Sequence, residues 1–213
     1  MLNMDFTQSV TIDTQQQPWI ASPKAGVWRK PLAREEAEQG HATSIVRYDP
    51  GASFSSHGHP KGEEILVLQG VFSDQTGDYP AGTYFRNPKG FSHAPFSQEG
   101  CIILVKLYQF QADDTEHRVV QTAGAQWLLH NASLEQLMLH QHRGEQVFMY
   151  RSQAEVGVDL RAAQQGLEIY IIRGELTENG QHFAAGYWLR RGDGSRTYQL
   201  SADALIWVKI NHF

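Results

Sequence analysis

Between Gly51 and Gly70 the chain reads Gly-Ala-Ser-Phe-Ser-Ser-His-Gly-His-Pro-Lys-Gly-Glu-Glu-Ile-Leu-Val-Leu-Gln-Gly. His57 and His59 are two apart, so on an extended chain their imidazoles leave the same face. Glu63 follows the Pro-Lys-Gly turn. A second stretch, Gly82-Thr-Tyr-Phe-Arg-Asn-Pro-Lys-Gly-Phe-Ser-His, uses Pro88 and Gly90 to shape a turn that delivers His93. Three neutral imidazoles and one carboxylate suit a divalent first-row metal. A weaker imitation, His140, His142 and Glu145, has shorter spacing and no second motif at the matching distance, so it reads as coincidence.

Both stretches resemble the paired cupin motifs, in which Gly, five residues, His-x-His, three or four residues, Glu, six residues and Gly precede Gly, five residues, Pro-x-Gly, two residues and His. The departure is Ser97, where the second motif usually ends in Asn, at a position that is not a ligand. The run Gly-Glu-Glu-Ile-Leu-Val-Leu-Gln-Gly-Val-Phe-Ser-Asp and the later Gly100-Cys101 are similar to the cupin-like domain of the anti-sigma factor ChrR, over roughly residues 20 to 110. The resemblance implies an all-β fold of double-stranded jelly-roll barrels. It also implies one divalent metal per chain, zinc first with iron, manganese or nickel as alternatives, held by His57, His59, Glu63 and His93.

Composition narrows the function classes. The 213 residues suffice for one large domain or two small ones, and the formal charge of -5 without a Lys/Arg run argues against nucleic acid as a partner. The single cysteine, Cys101, excludes an internal disulfide and heads an apolar run, where packing is its expected role. The N-terminus has neither a basic nor an apolar leader region, and no apolar run reaches membrane-spanning length, so a soluble cytoplasmic protein is expected.

The elements around the motifs read as strands. Residues 1 to 17, with Val10 and Ile12 alternating weakly, form a tail or an edge strand. Ala33 to Gln39 is the one helix-like patch. With Glu63 aimed at the metal, Ile65 and Val67 face a barrel interior and Leu66 and Leu68 need cover from another sheet, in this chain or in a second copy, which favours a homodimer. Asp113 to Gly124 reads as a linker.

The second half repeats the first at an offset of 104 residues, pairing Gly62 with Gly166, Glu64 with Glu168, Gly70 with Gly174, Gly82 with Gly186, Arg86 with Arg190 and Gly90 with Gly194. Through that offset His57 falls on Arg161, His59 on Ala163, Glu63 on Leu167 and His93 on Thr197. Residues 1–112 are therefore expected to form a metal-binding cupin, and residues 113–213 a degenerate one without ligands. Glu64, retained where no metal is needed, is assigned a structural bond, and Glu63 the metal.

Three functions follow. The resemblance implies a ligand- or stress-sensing regulatory protein, with a small molecule as ligand. A sigma factor as direct partner is not expected, because the family's N-terminal anti-sigma domain, with its zinc motif, has no counterpart before Trp19 and there is no second cysteine. The second is a cupin-type metal-dependent dioxygenase cleaving a small diketone or aromatic ketone, with Phe54, Phe72, Tyr84, Phe85 and Phe91 as candidate pocket walls. No acid/base pair or nucleophile arrangement accompanies it. The third is a structural-metal binding or assembly module.

Overall fold

A computed structural model describes residues 1–36, 40–160, 165–192 and 196–213. The described residues form strands joined by turns, and no helix among them is long and apolar enough to cross a membrane. Two compact units divide the chain: Met1–Met4 with Gln17–Gly124, and Asp5–Gln16 with Ala125–Phe213. Each is a cupin jelly roll. In the first, the main sheet runs Arg118–Gln121, Thr83–Asn87, Glu63–Asp74, Cys101–Leu107, Ala42–Tyr48, Val27–Arg34 and Ile20–Ala21, while Gly77–Pro80 pairs with the far end of Glu63–Asp74. His57–Gly58 and Ser92–His93 form a separate short ladder.

The first barrel fills as alternation demands. Ile65, Val67, Phe72, Phe85, Ile103 and Val105 share one buried cluster. Leu66, on the other face, lies outside that cluster, yet it is buried in the single chain, and Leu68 is half-buried. The apolar outer face is thus no argument for a second copy. Cys101 belongs to the same cluster, and burial pushes its thiol up to about 11, in keeping with a packing role.

In the second unit the sheet Val10–Asp13, Tyr187–Arg191, Leu167–Arg173, Leu205–Ile210, Glu145–Ser152, Leu134–His142 and Leu128–Asn131 accompanies a four-stranded sheet, Val156–Asp159, Thr197–Leu200, Glu175–Glu178 and Gln181–Ala184. Its interior is a continuous apolar cluster that includes Leu167, Ile169, Ile171, Phe148 and Val208.

Three expectations need correction. The patch from Ala33 does not start a helix, because Ala33 and Arg34 complete the strand Val27–Arg34 through pairing with Thr43 and Ala42; residues 37–39 lie outside the described residues. Asp113 to Gly124 is not a plain linker. Its residues Arg118–Gln121 pair with Arg86–Thr83 at the edge of the first barrel. The strand Val10–Asp13 pairs with Arg190–Tyr187, the positions that match Arg86–Thr83 at the repeat offset, so the N-terminal strand takes in the second unit the place of Arg118–Gln121 in the first. The segment Asp5–Gln16 accordingly groups with the second unit, whereas the sequence had it with the first.

The same device closes both barrels. Gly62 (φ +79°) and Gly166 (φ +84°) occupy the left-handed region, and a Cβ there would stand 2.4 Å from the Phe110 ring and 1.8 Å from the Phe213 ring respectively. Gly166→Ala should therefore lower the stability of the second unit by about 2–4 kcal/mol through strain and overpacking, read as a shift in its urea midpoint.

Candidate metal centre

Four elements bring the sequence-predicted residues together. The ladder pairs His57 with His93 directly, His59 follows in the turn, and Glu63 opens the long strand. Imidazole nitrogens of His57, His59 and His93 lie within 4.8 Å of one another. His59 Nε2 stands 3.3 Å from His93 Nε2, and the Glu63 carboxylate spans the pair, with Oε1 3.3 Å from His59 Nε2 and Oε2 3.2 Å from His93 Nε2. His57 turns its Nδ1 to the Ser55 carbonyl at 2.8 Å, which leaves Nε2 for the cluster.

Electrostatics favour the ligating forms. Burial pushes His59 down to about 4, with His57 adding repulsion, and burial also lowers His93. Neutral imidazoles at pH 7 offer a lone pair, so their contacts with Glu63 are polar contacts and not ion pairs. Burial raises Glu63, while nearby His93 and an Asn87 Nδ2 donation at 3.1 Å act in the opposite direction. Several neutral nitrogen donors and a desolvated carboxylate converging on one point fit a divalent first-row cation.

Two supporting residues carried no motif. Asn87 holds Glu63 as described. Asp74 places Oδ2 3.3 Å from His93 Nδ1, while its Oδ1 accepts from the Thr76 backbone N–H at 2.7 Å. That is the carboxylate–histidine pairing that fixes a ligand's ring orientation. An unbent strand would hold Glu63 and Asp74 roughly 36 Å apart, yet both reach His93. The strand bends at Gly70 (φ +69°), where a Cβ would meet the Gly100 carbonyl at 2.1 Å.

Glu64, one residue on, points the other way and pairs with Arg86 at 2.9 Å, both side chains buried; Arg86 also bonds Asp114. The structural assignment of Glu64 holds. In the second unit Leu167, opposite Glu63 in the repeat, is core, and Thr197 is exposed; Arg161, Ala163 and Gly194 lie outside the described residues. His140 and His142 sit on the strand Leu134–His142, and Glu145 is ion-paired to Lys209 at 2.9 Å.

A cavity of about 300 Å³ adjoins the cluster, with His57, His59 and Glu63 in its wall. Of the candidate aromatic walls only Phe54 lines it. Phe72 and Phe85 are core, Tyr84 is buried on the opposite face of its strand from Phe85, and Phe91 stacks on His117 at 4.8 Å.

The sequence matches the ChrR cupin-like domain family twice, over residues 7–111 and 115–213. The chain belongs to that family. No protein of curated function matches it in sequence. Among solved structures, a candidate dioxygenase from Nostoc punctiforme superposes with a TM-score of 0.78 at 14% identity, covering 97% of this chain and 83% of that one. The bacterial pirin YhhW from Escherichia coli, solved with nickel(II), gives 0.72 at 12% identity, covering 97% and 100%. A cupin 2 conserved barrel domain protein from Leptotrichia buccalis gives 0.64 at 8% identity, covering 99% of each. At these identities the likeness speaks for the fold.

The two adjacent carboxylates should part company on mutation. Glu64→Gln, which takes one of its two buried carboxylate partners from the Arg86 guanidinium and leaves Asp114, should cost roughly 1–3 kcal/mol in chemical denaturation. Glu63→Gln, measured on chelator-treated protein, should cost much less, since it removes a desolvated charge that has no cationic side chain as partner.

Proposed function

We propose that His57, His59, Glu63 and His93 hold one divalent metal in the first barrel, and that this centre binds a small molecule in the adjoining cavity as a ligand- or stress-sensing regulatory module. The observation that carries the reading is three imidazoles within reach of one another, two of them in contact with the Glu63 carboxylate, beside a cavity of about 300 Å³, within the range of small-molecule sites. Family membership supports the regulatory side. A bound ion would supply a Lewis acid for an oxygen donor. The protein's own share is to favour the neutral forms of His59 and His93 by burial, to orient His93 through Asp74 and Glu63 through Asn87, and to surround the ligand with apolar wall.

A second reading, a metal-dependent dioxygenase acting on a small diketone or aromatic ketone, is favoured by the same cavity opening directly onto the donors and by the likeness to a candidate dioxygenase. A purely structural metal serving assembly is less well supported, because closed structural sites have no need of a cavity beside the ligands.

Elemental analysis of purified protein should find a single divalent ion per chain, lost in His57→Ala and His93→Ala. Asp74→Asn should keep the ion but weaken its retention against a competing chelator by about 10–100-fold. A second bound equivalent, or His93→Ala retaining the full metal content, would overturn the assignment. The two functional readings separate under reducing conditions: iron(II)-loaded protein given pentane-2,4-dione or 2-hydroxyacetophenone should leave dissolved oxygen unchanged if the module senses, and deplete it if it is a dioxygenase.

A further inference from the structure

The cavity carries polar groups that holding a metal does not use. Tyr48 is only 6% exposed and lines the cavity, yet no described residue hydrogen-bonds its hydroxyl. Buried phenols ordinarily find a partner. Arg29 lines the same cavity. The strand register sets Val27 opposite Tyr48 and Arg29 opposite Val46, which makes Arg29 and Tyr48 diagonal neighbours across the sheet, within reach for long side chains. The Arg29 charge is felt at the phenol, and so is that of Glu63, so the hydroxyl lies within the field of both.

We propose that Arg29 and Tyr48 select the occupant of this cavity: a small organic carboxylate with an apolar body, its acid group taken by the guanidinium and the phenolic O–H. The planar fork of an arginine matches the two oxygens of a carboxylate, and its five donors allow it to serve more than one acceptor. Arg29 carries the one permanent positive charge among the lining residues, which suits a single negative charge. Val27, Val46, Ile103 and Val105 offer aliphatic wall to the remainder of the molecule. This inference rests on reading the cavity as the ligand site, and not on a metal being held beside it.

Calorimetric titration with isobutyrate and benzoate, against isobutyramide and benzamide, tests it on purified protein before and after chelator treatment, with metal content measured on the same samples. At least one acid should bind saturably, about tenfold or more tighter than its amide, in both forms of the protein. Arg29→Gln should erase that preference, and Tyr48→Phe should reduce it by a smaller factor, with thermal melts confirming that each variant is folded. Absence of saturable binding by either acid, equal affinity for acid and amide, or a preference that survives Arg29→Gln would overturn the proposal. So would a preference seen only with metal present, since the acid group would then sit on the ion. A preserved preference in protein that never holds metal would instead leave this inference standing and sink the metal assignment.

Discussion

The constraint on which the first barrel turns is a carboxylate withdrawn from water. Glu63 is buried, and what it meets is two imidazole nitrogens and one amide donor. A charged group in a low-dielectric setting requires opposite charge or several donors to be tolerated. Glu64 solves that problem with a guanidinium on the opposite face of the same strand. Glu63 is answered by neutral nitrogens, an arrangement that favours a cation at the point where all of them converge. The alternation of one strand thus separates a carboxylate with a guanidinium partner from one that faces imidazoles.

How much of this was legible depended on distance along the chain. His57, His59, Glu63 and His93 are marked by short spacings and by turn residues that fix which way each side chain leaves the backbone. Asp74 has no such mark. It meets His93 because a twelve-residue strand bends at Gly70, and nothing local to Asp74 reports a bend four residues earlier. The glycine and its equivalence with Gly174 are visible in the sequence, but its meaning requires the opposing Gly100 carbonyl. Tyr48 and Arg29 were hidden for a related reason. A tyrosine at the end of an alternating strand and an arginine in a turn-rich segment look like surface until the register sets them diagonally on an inner face.

The repeat is more informative than any single motif, because it separates what both barrels share from what the first alone carries. Gly62 and Phe110 have counterparts in Gly166 and Phe213 that meet in the same way. Glu64 and Arg86 have counterparts in Glu168 and Arg190, whose charges also interact. At the position of Glu63 the second unit has Leu167, which joins an apolar core. There the interior is filled by close-packed apolar side chains.

The exchange of edge strands has a topological outcome. Since Asp5–Gln16 completes the second unit while the residues on either side of it build the first, the polypeptide passes between the units three times. A protease cut near Ala125 would sever one passage and leave two, so the nicked halves would stay fastened through an N-terminal strand still seated in its neighbour's sheet. Dividing the gene at the apparent repeat boundary would do something different: the second half would be made with the outer edge of Tyr187–Arg191 bare, an invitation to any stray strand in solution.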